Sequence, residues 1–179
     1  MLFYLFSAEE LCEILDRLGY AFDGEKLSRN VGYYLHRTSH GSTLSGVVHS
    51  WVLARSDRKR AWTLFERALR SDVEDIQGGT TPEGIHLGAM AGTIDLIQRG
   101  HTGIEMREGV LWLNPQLPDA IRRLRLRLRY RGHWLSVHVG RDKLVVSFDR
   151  GWYGSVQIGF HGTVYEMAQG DRHEFDLNT

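Results

Sequence analysis

The 179-residue sequence is short of cysteine and of net charge, and each shortage removes a class of protein. Its one thiol, Cys12, excludes an internal disulfide framework; with an apolar helix face around it and no base beside it, it reads as a structural thiol. Lys plus Arg (22) equal Asp plus Glu (22), so no chain-wide basic field for nucleic acid and no acidic tail exists. Apolar runs extend only a few residues, against the roughly 20 that a membrane-spanning helix needs. The first residues lack the basic start and long apolar run of a secretory signal. The expectation is a cytoplasmic protein with no membrane and no nucleic-acid partner. The length suits one ordinary domain or two small ones with a real core. The apolar opening Met1-Leu2-Phe3-Tyr4-Leu5-Phe6 reads either as a buried segment whose upstream neighbour is missing or as a short element packed on its own domain.

The first hundred residues carry helical periodicity. Ser7 and Glu10 form a capping box ahead of Leu11, Ile14, Leu15 and Leu18, and Gly19 stops that helix. A second follows Asp23 to about Arg37, with Leu27, Val31, Tyr34 and Leu35 on one face. Ser42 caps a third, striped by Leu44, Val47, Val48, Trp51 and Val52. Ser56 or Asp57 caps a fourth, striped by Ala61, Leu64, Phe65, Ala68 and Leu69. Thr81 caps a fifth with Pro82 at its first position, running through Ile85, Met90, Ile94 and Ile97; its small residues, among them Ala89 and Gly92, predict close contact with another helix. Near residue 103 the period falls to two. Leu124, Leu126, Leu128 and Tyr130 alternate with Arg125, Arg127, Arg129 and Arg131, the pattern of a half-buried strand. Further strands are predicted over Val110–Leu113, Trp134–Val139, Leu144–Phe148, Val156–Phe160 and Thr163–Met167, making a small antiparallel sandwich. The fold class is therefore α+β, with helices in residues 1–102 and the sandwich in 103–179.

Consecutive helices joined by short connections alternate in direction, so the third and fifth should start at the same end. The loops there are His40-Gly41-Ser42-Thr43 and Gly78-Gly79-Thr80-Thr81. Free backbone N–H groups, hydroxyls and the positive end of a helix dipole suit a phosphate, and glycine lets the backbone approach it closely. Ordinary caps and turns are the competing reading of the same residues.

Thr38-Ser39-His40-Gly41-Ser42-Thr43-Leu44-Ser45 and the long block from Asp75-Ile76-Gln77-Gly78-Gly79-Thr80-Thr81 through Pro82-Glu83-Gly84-Ile85-His86 to Gly92-Thr93 closely resemble segments of glycoside hydrolase family 65. Leu128-Arg129-Tyr130-Arg131-Gly132 resembles that family's C-terminal β domain. The resemblance implies the last part of an (α/α)6 toroid followed by a β-sandwich. It also implies the glycosyltransferase-type chemistry of the maltose, trehalose and kojibiose phosphorylases: inverting phosphorolysis of an α-glucoside to β-glucose 1-phosphate. Carried onto this sequence, His40, Ser42, Thr43, Gly79, Thr80 and Thr81 would bind phosphate. No cofactor is implied beyond inorganic phosphate as co-substrate, and the partner is an α-linked glucosyl disaccharide. The family's general-acid glutamate and a Lys-Gln pair that holds the sugar belong upstream. No catalytic residue is therefore assigned here, and the chain is expected to be an incomplete fragment, inactive without the upstream half of the toroid. The rival expectation is a non-catalytic remnant serving as an interaction or sugar-binding module, as a homodimer in one version.

Other candidates have plainer explanations. Glu83 complements a helix dipole and Asp75 ends a segment, rather than forming an acid/base pair. His36 and His40 are four apart, but the helix ends before His40 and no third metal ligand is evident. His86 reads as packing rather than phosphate contact. The arginines of residues 122–131 read as a solvated strand face, with Glu105, Glu108, Asp142 and Asp149 as acidic counterparts.

Overall fold

The computed structural model describes all residues except Met1, Ser7, His40, Arg55, Gln77, Thr80, Thr81, Glu83, residues 151–153 and Thr179, and the side chains of Ala8, Glu9 and Arg150. The chain divides into two compact units, Met1–Leu96 and Ile97–Thr179.

The first unit is helical: α1 (Leu2–Leu5), α2 (Ala8–Arg17), α3 (Gly24–Leu35), α4 (Thr43–Leu53), α5 (Arg58–Arg70) and α6 (Leu87–Asp95). Aspartates cap two of these helices: Asp23, after which the sequence places a helix, accepts from the Lys26 N–H at 2.9 Å, and Asp57, one of the two caps the sequence offers, accepts from the Arg60 N–H at 3.0 Å. The apolar opening forms α1, where Tyr4 meets Trp51 of α4 edge-on, while Leu2 and Leu5 face solvent. Val47 is fully buried where α4 meets α6, and the bare Cα of Gly92 is what lets them meet: a Cβ there would sit 2.6 Å from Val47 Cγ1. The small side of this last helix thus makes the close contact that its composition predicts.

Two expectations need correction. The helix does not begin at Pro82 but at Leu87, with His86 as its N-cap, because Gly84 takes φ +107°, outside the helical region, and His86 is tied elsewhere. Several stripe residues also lie exposed, among them Leu18, Tyr34, Leu44, Leu69, Ile85 and Ile94. Periodicity identifies the face a helix can bury and not whether a neighbour is there to cover it.

The second unit is a sandwich of two four-stranded sheets, ordered β1-β2-β6-β7 and β3-β4-β5-β8. The strands are β1 (Glu105–Arg107), β2 (Val110–Trp112), β3 (Leu124–Tyr130), β4 (His133–Val139), β5 (Lys143–Arg150), β6 (Ser155–Phe160), β7 (Thr163–Ala168) and β8 (Arg172–Asp176). All pairs are antiparallel but one, β2 beside β6, which run parallel. Leu135, Val137, Leu144 and Val146 from one sheet pack with Leu111, Ile158 and Met167 from the other in a single core. Each such fully buried side chain contributes roughly 1.5–3 kcal/mol. The alternation on β3 holds: Leu128 and Tyr130 are buried, and Arg125, Arg127 and Arg129 are exposed. Of the acidic counterparts, Asp149 pairs with Arg127 at 3.1 Å, whereas Glu105 pairs with Arg107 on its own strand. The tight hairpins use Glu108-Gly109, Arg131-Gly132 and His161-Gly162, each with positive φ at both positions, the backbone that a two-residue turn between twisted strands requires.

Candidate functional site

The arrangement of helix ends decides what the loops can do. On α4 and α5, Ser50 Oγ donates to the Ala61 carbonyl at 2.8 Å, while Gly46 lies against Leu64 and Ala68. Moving forward on one helix means moving back on the other, so the pair is antiparallel and the start of α4 lies beside the end of α5. Directly after that end, Asp72 reaches the start of α6: its Oδ2 accepts the His86 backbone N–H at 2.9 Å. The N-termini of α4 and α6 therefore share one end of the helical unit, as the alternation argument requires.

Ser42 occupies the N-cap position of α4 with extended backbone (φ −128°, ψ 140°), yet its side chain makes no capping hydrogen bond. A serine here usually spends its hydroxyl on an orphan N–H of the first turn. This one leaves the hydroxyl available to an outside acceptor. A shallow depression adjoins it, lined by Ser42, Thr43, Gly46, Arg67, Ser71 and Ile76. Arg67, exposed in the last turn of α5, adds a full positive charge beside the partial positive charge of the α4 terminus. Thr43 is nearly buried at the first helical position.

The second loop is held by two aspartates. Asp72, its side chain 7% exposed, takes both the backbone N–H and the Nδ1–H of His86, the latter at 2.5 Å. These bonds, the side-chain one foremost, hold the Asp72 carboxyl below its ordinary value against the opposing effect of burial. An ionised carboxylate only accepts, so Nδ1 of His86 carries the proton, and Nε2 is the nitrogen left to face other groups; the ring is 31% exposed. Both carboxylate oxygens of Asp75 lie 2.9 Å from the Gly79 nitrogen.

Of the sequence-derived phosphate residues, Ser42 and Thr43 stand at the α4 terminus, and Gly79 is exposed in the α5–α6 loop with its N–H engaged by Asp75. His40, Thr80 and Thr81 lie outside the described residues, as does Glu83. Sequence reasoning missed Arg67 and Asp72. Arg67 sits on the polar side of a helical stripe like any solvated arginine, and nothing in residues 72–86 announces that Asp72 closes the loop onto His86.

Residues 1–95 match the glycosyl hydrolase family 65 central catalytic domain, and residues 104–167 match the C-terminal domain of the same family. An uncharacterized glycosyl hydrolase of Mycobacterium tuberculosis is 46% identical over 95% of this chain, which spans 13% of that protein. A trehalose 6-phosphate phosphorylase of Lactococcus lactis is 34% identical over 82% of the chain, and the match covers 19% of the relative's length. A kojibiose phosphorylase of Caldanaerobacter subterraneus is 35% identical over 70% of the chain, covering 16% of the relative. A solved structure assigned as a kojibiose phosphorylase from the human microbiome superposes with a TM-score of 0.74 at 28% identity, covering 87% of this chain and 20% of that one. Both units of the chain thus align with one enzyme family, in the order that family places them, and the chain belongs to glycosyl hydrolase family 65.

Proposed function

We propose that this chain supplies the phosphate side of an inverting α-glucosyl disaccharide phosphorylase. Inorganic phosphate, held at the start of α4 by Ser42 and Thr43 and by Gly79, Thr80 and Thr81 of the α5–α6 loop, attacks the anomeric carbon of an α-linked glucosyl disaccharide. His40 donates to a phosphate oxygen. A carboxylic acid from the upstream part of the toroid protonates the departing sugar, and β-glucose 1-phosphate forms. The observation that carries this reading is the unspent Ser42 hydroxyl at a helix N-terminus, beside Arg67 and at the same end as the start of α6. Phosphorylases among the relatives point the same way. Asp72 and Asp75 are both engaged as hydrogen-bond acceptors within the loop, which favours an acid from elsewhere. The exposed apolar residues Tyr34 of α3, Leu44 of α4, Leu69 of α5 and Ile94 of α6 are the surfaces that further toroid helices would cover.

Calorimetric titration of the chain with inorganic phosphate tests this, beside Ser42→Ala and Thr80→Ala. A hydrogen bond to a charged group is worth roughly 1.5–3 kcal/mol, so Ser42→Ala should weaken phosphate about tenfold or more. Equal affinity in both variants, or no phosphate binding by the folded chain, would overturn the assignment and leave the interaction-module reading in its place.

A further inference from the structure

The phosphate reading asks Gly79 for its backbone N–H, but that N–H already has an anion. Asp75 Oδ1 and Oδ2 each lie 2.9 Å from the Gly79 nitrogen, and the Asp75 carbonyl accepts from the Gly78 N–H at 3.0 Å, so one residue closes the turn with its backbone and fills it with its carboxylate. Gly78 and Gly79 have φ +69° and +107°, and a Cβ placed on either would meet nothing within 4 Å. There is open space where a side chain of either glycine would stand. What stands at this amide is a competing charge and not a wall.

We propose that Asp75 sets the affinity and selectivity of the phosphate site by acting as an internal competitor: its carboxylate holds the Gly79 amide, and an incoming anion gains that donor only by displacing it. The inference rests on the phosphate reading above and deepens it. One N–H cannot serve two anions fully, and two negative groups at hydrogen-bonding distance from the same nitrogen repel each other. Asp75 is exposed, so water can take up its carboxylate once an incoming anion displaces it. A phosphate dianion has the charge and the several acceptor oxygens to recover that cost from Ser42, Arg67 and the α4 terminus together. Chloride or acetate, with one charge and fewer acceptors, does not. The contact would thus screen the site against the monoanions that surround it and admit phosphate.

The left-handed backbone at Asp75 (φ +47°) dictates the substitutions, since asparagine and glycine tolerate it and other residues strain it. Asp75→Asn keeps the shape and an acceptor but removes the charge; Asp75→Gly removes both. Titrated with inorganic phosphate, the full chain carrying Asp75→Gly should bind roughly fivefold or more tightly than the unsubstituted chain, with Asp75→Asn between them, and chloride should compete measurably only in the variants. In the unsubstituted chain the Gly79 amide resonance should move as phosphate saturates. A purely structural clamp makes the opposite forecast: both variants loosen the loop and weaken phosphate. That result, or a Gly79 amide that stays put at saturation while Ser42→Ala still weakens binding, would overturn the competitor role and leave the phosphate site standing. No phosphate binding by the unsubstituted chain or by either variant would remove the site itself, and the competitor with it.

Discussion

Gly159 on β6 offers a quantitative test of the sandwich. It stands in register with Trp112 of the parallel neighbour β2, and the indole lies directly over it. A Cβ on Gly159 would be 2.7 Å from Trp112 Cζ3 and nearer still to two other ring carbons, against the 3.4–4 Å of ordinary contact. Gly159→Ala must push the ring outward, and the ring is not free to go: Arg107 stacks on it, with its guanidinium carbon 5.0 Å from the ring centroid. Overpacking of this kind costs about 1–3 kcal/mol, offset by roughly 0.4–1 kcal/mol because alanine restricts the unfolded chain more than glycine does. The net loss of about 1–2 kcal/mol should lower the Tm of a domain of this size by about 4–16 °C. Scanning calorimetry of the intact chain reads it directly. The double variant Gly159→Ala with Trp112→Leu should lose less than the sum of the two single variants, because the clash exists only when both partners are present. Additive losses, or a Gly159→Ala protein that melts with the unsubstituted chain, would show that the indole does not lean on the strand as described.

Two further outcomes follow from other parts of the chain. His101 is buried, and desolvation holds it below its ordinary 6.5, partly countered by a hydrogen bond that its ring donates to the Gln116 backbone carbonyl. Its neutral form is therefore the one the fold keeps; stability is full above pH 6.5 and falls as pH drops below that value toward the folded pKa, because the unfolded chain takes up the proton first. In urea titrations across this range, His101→Gln should show a shallower acid-side loss, and an unchanged pH slope would refute the burial argument. Gly92→Val would force α4 and α6 apart at Val47, costing about 1–3 kcal/mol, and should speed amide exchange in both helices; protection equal to the unsubstituted chain would mean that the helices do not touch there.

How legible the chain is depends on what each residue answers to. Asp23, Asp57 and the alternating arginines of β3 answer to local rules, and the structure follows them. The shared end of the α4 and α6 starts was also legible, although the connection from Arg70 to Leu87 is longer than the short link the alternation argument assumed, and Asp72 rather than loop length ties the two ends together. The start of α6 was not: Thr81-Pro82 is a sound local start signal, but the Asp72 carboxylate, 14 residues before His86, sets where the helix begins. Strands β1 and β8 escaped because Glu105-Met106-Arg107 and Arg172-His173-Glu174-Phe175-Asp176 are short and charged, and only their pairing partners make them strands. The parallel pairing of β2 with β6 leaves no local trace at all. At the candidate site, Ser42 was found for its cap position, but whether its hydroxyl is spent is a matter of three-dimensional geometry.

That parallel pairing bears on how the protein is made. Leu111 meets Ile158, and between them in the sequence lie the three consecutive strands of the other sheet, β3, β4 and β5. Those three join through neighbouring hairpins and can close as soon as each leaves the ribosome. The β1–β2 hairpin must wait with one edge unpaired until β6 has been synthesised. During that interval Val110 and Leu111, both buried in the finished sheet, lie on an open strand edge, the kind that pairs with other chains. Until β6 arrives, this waiting edge is a point at which misassembly during synthesis begins.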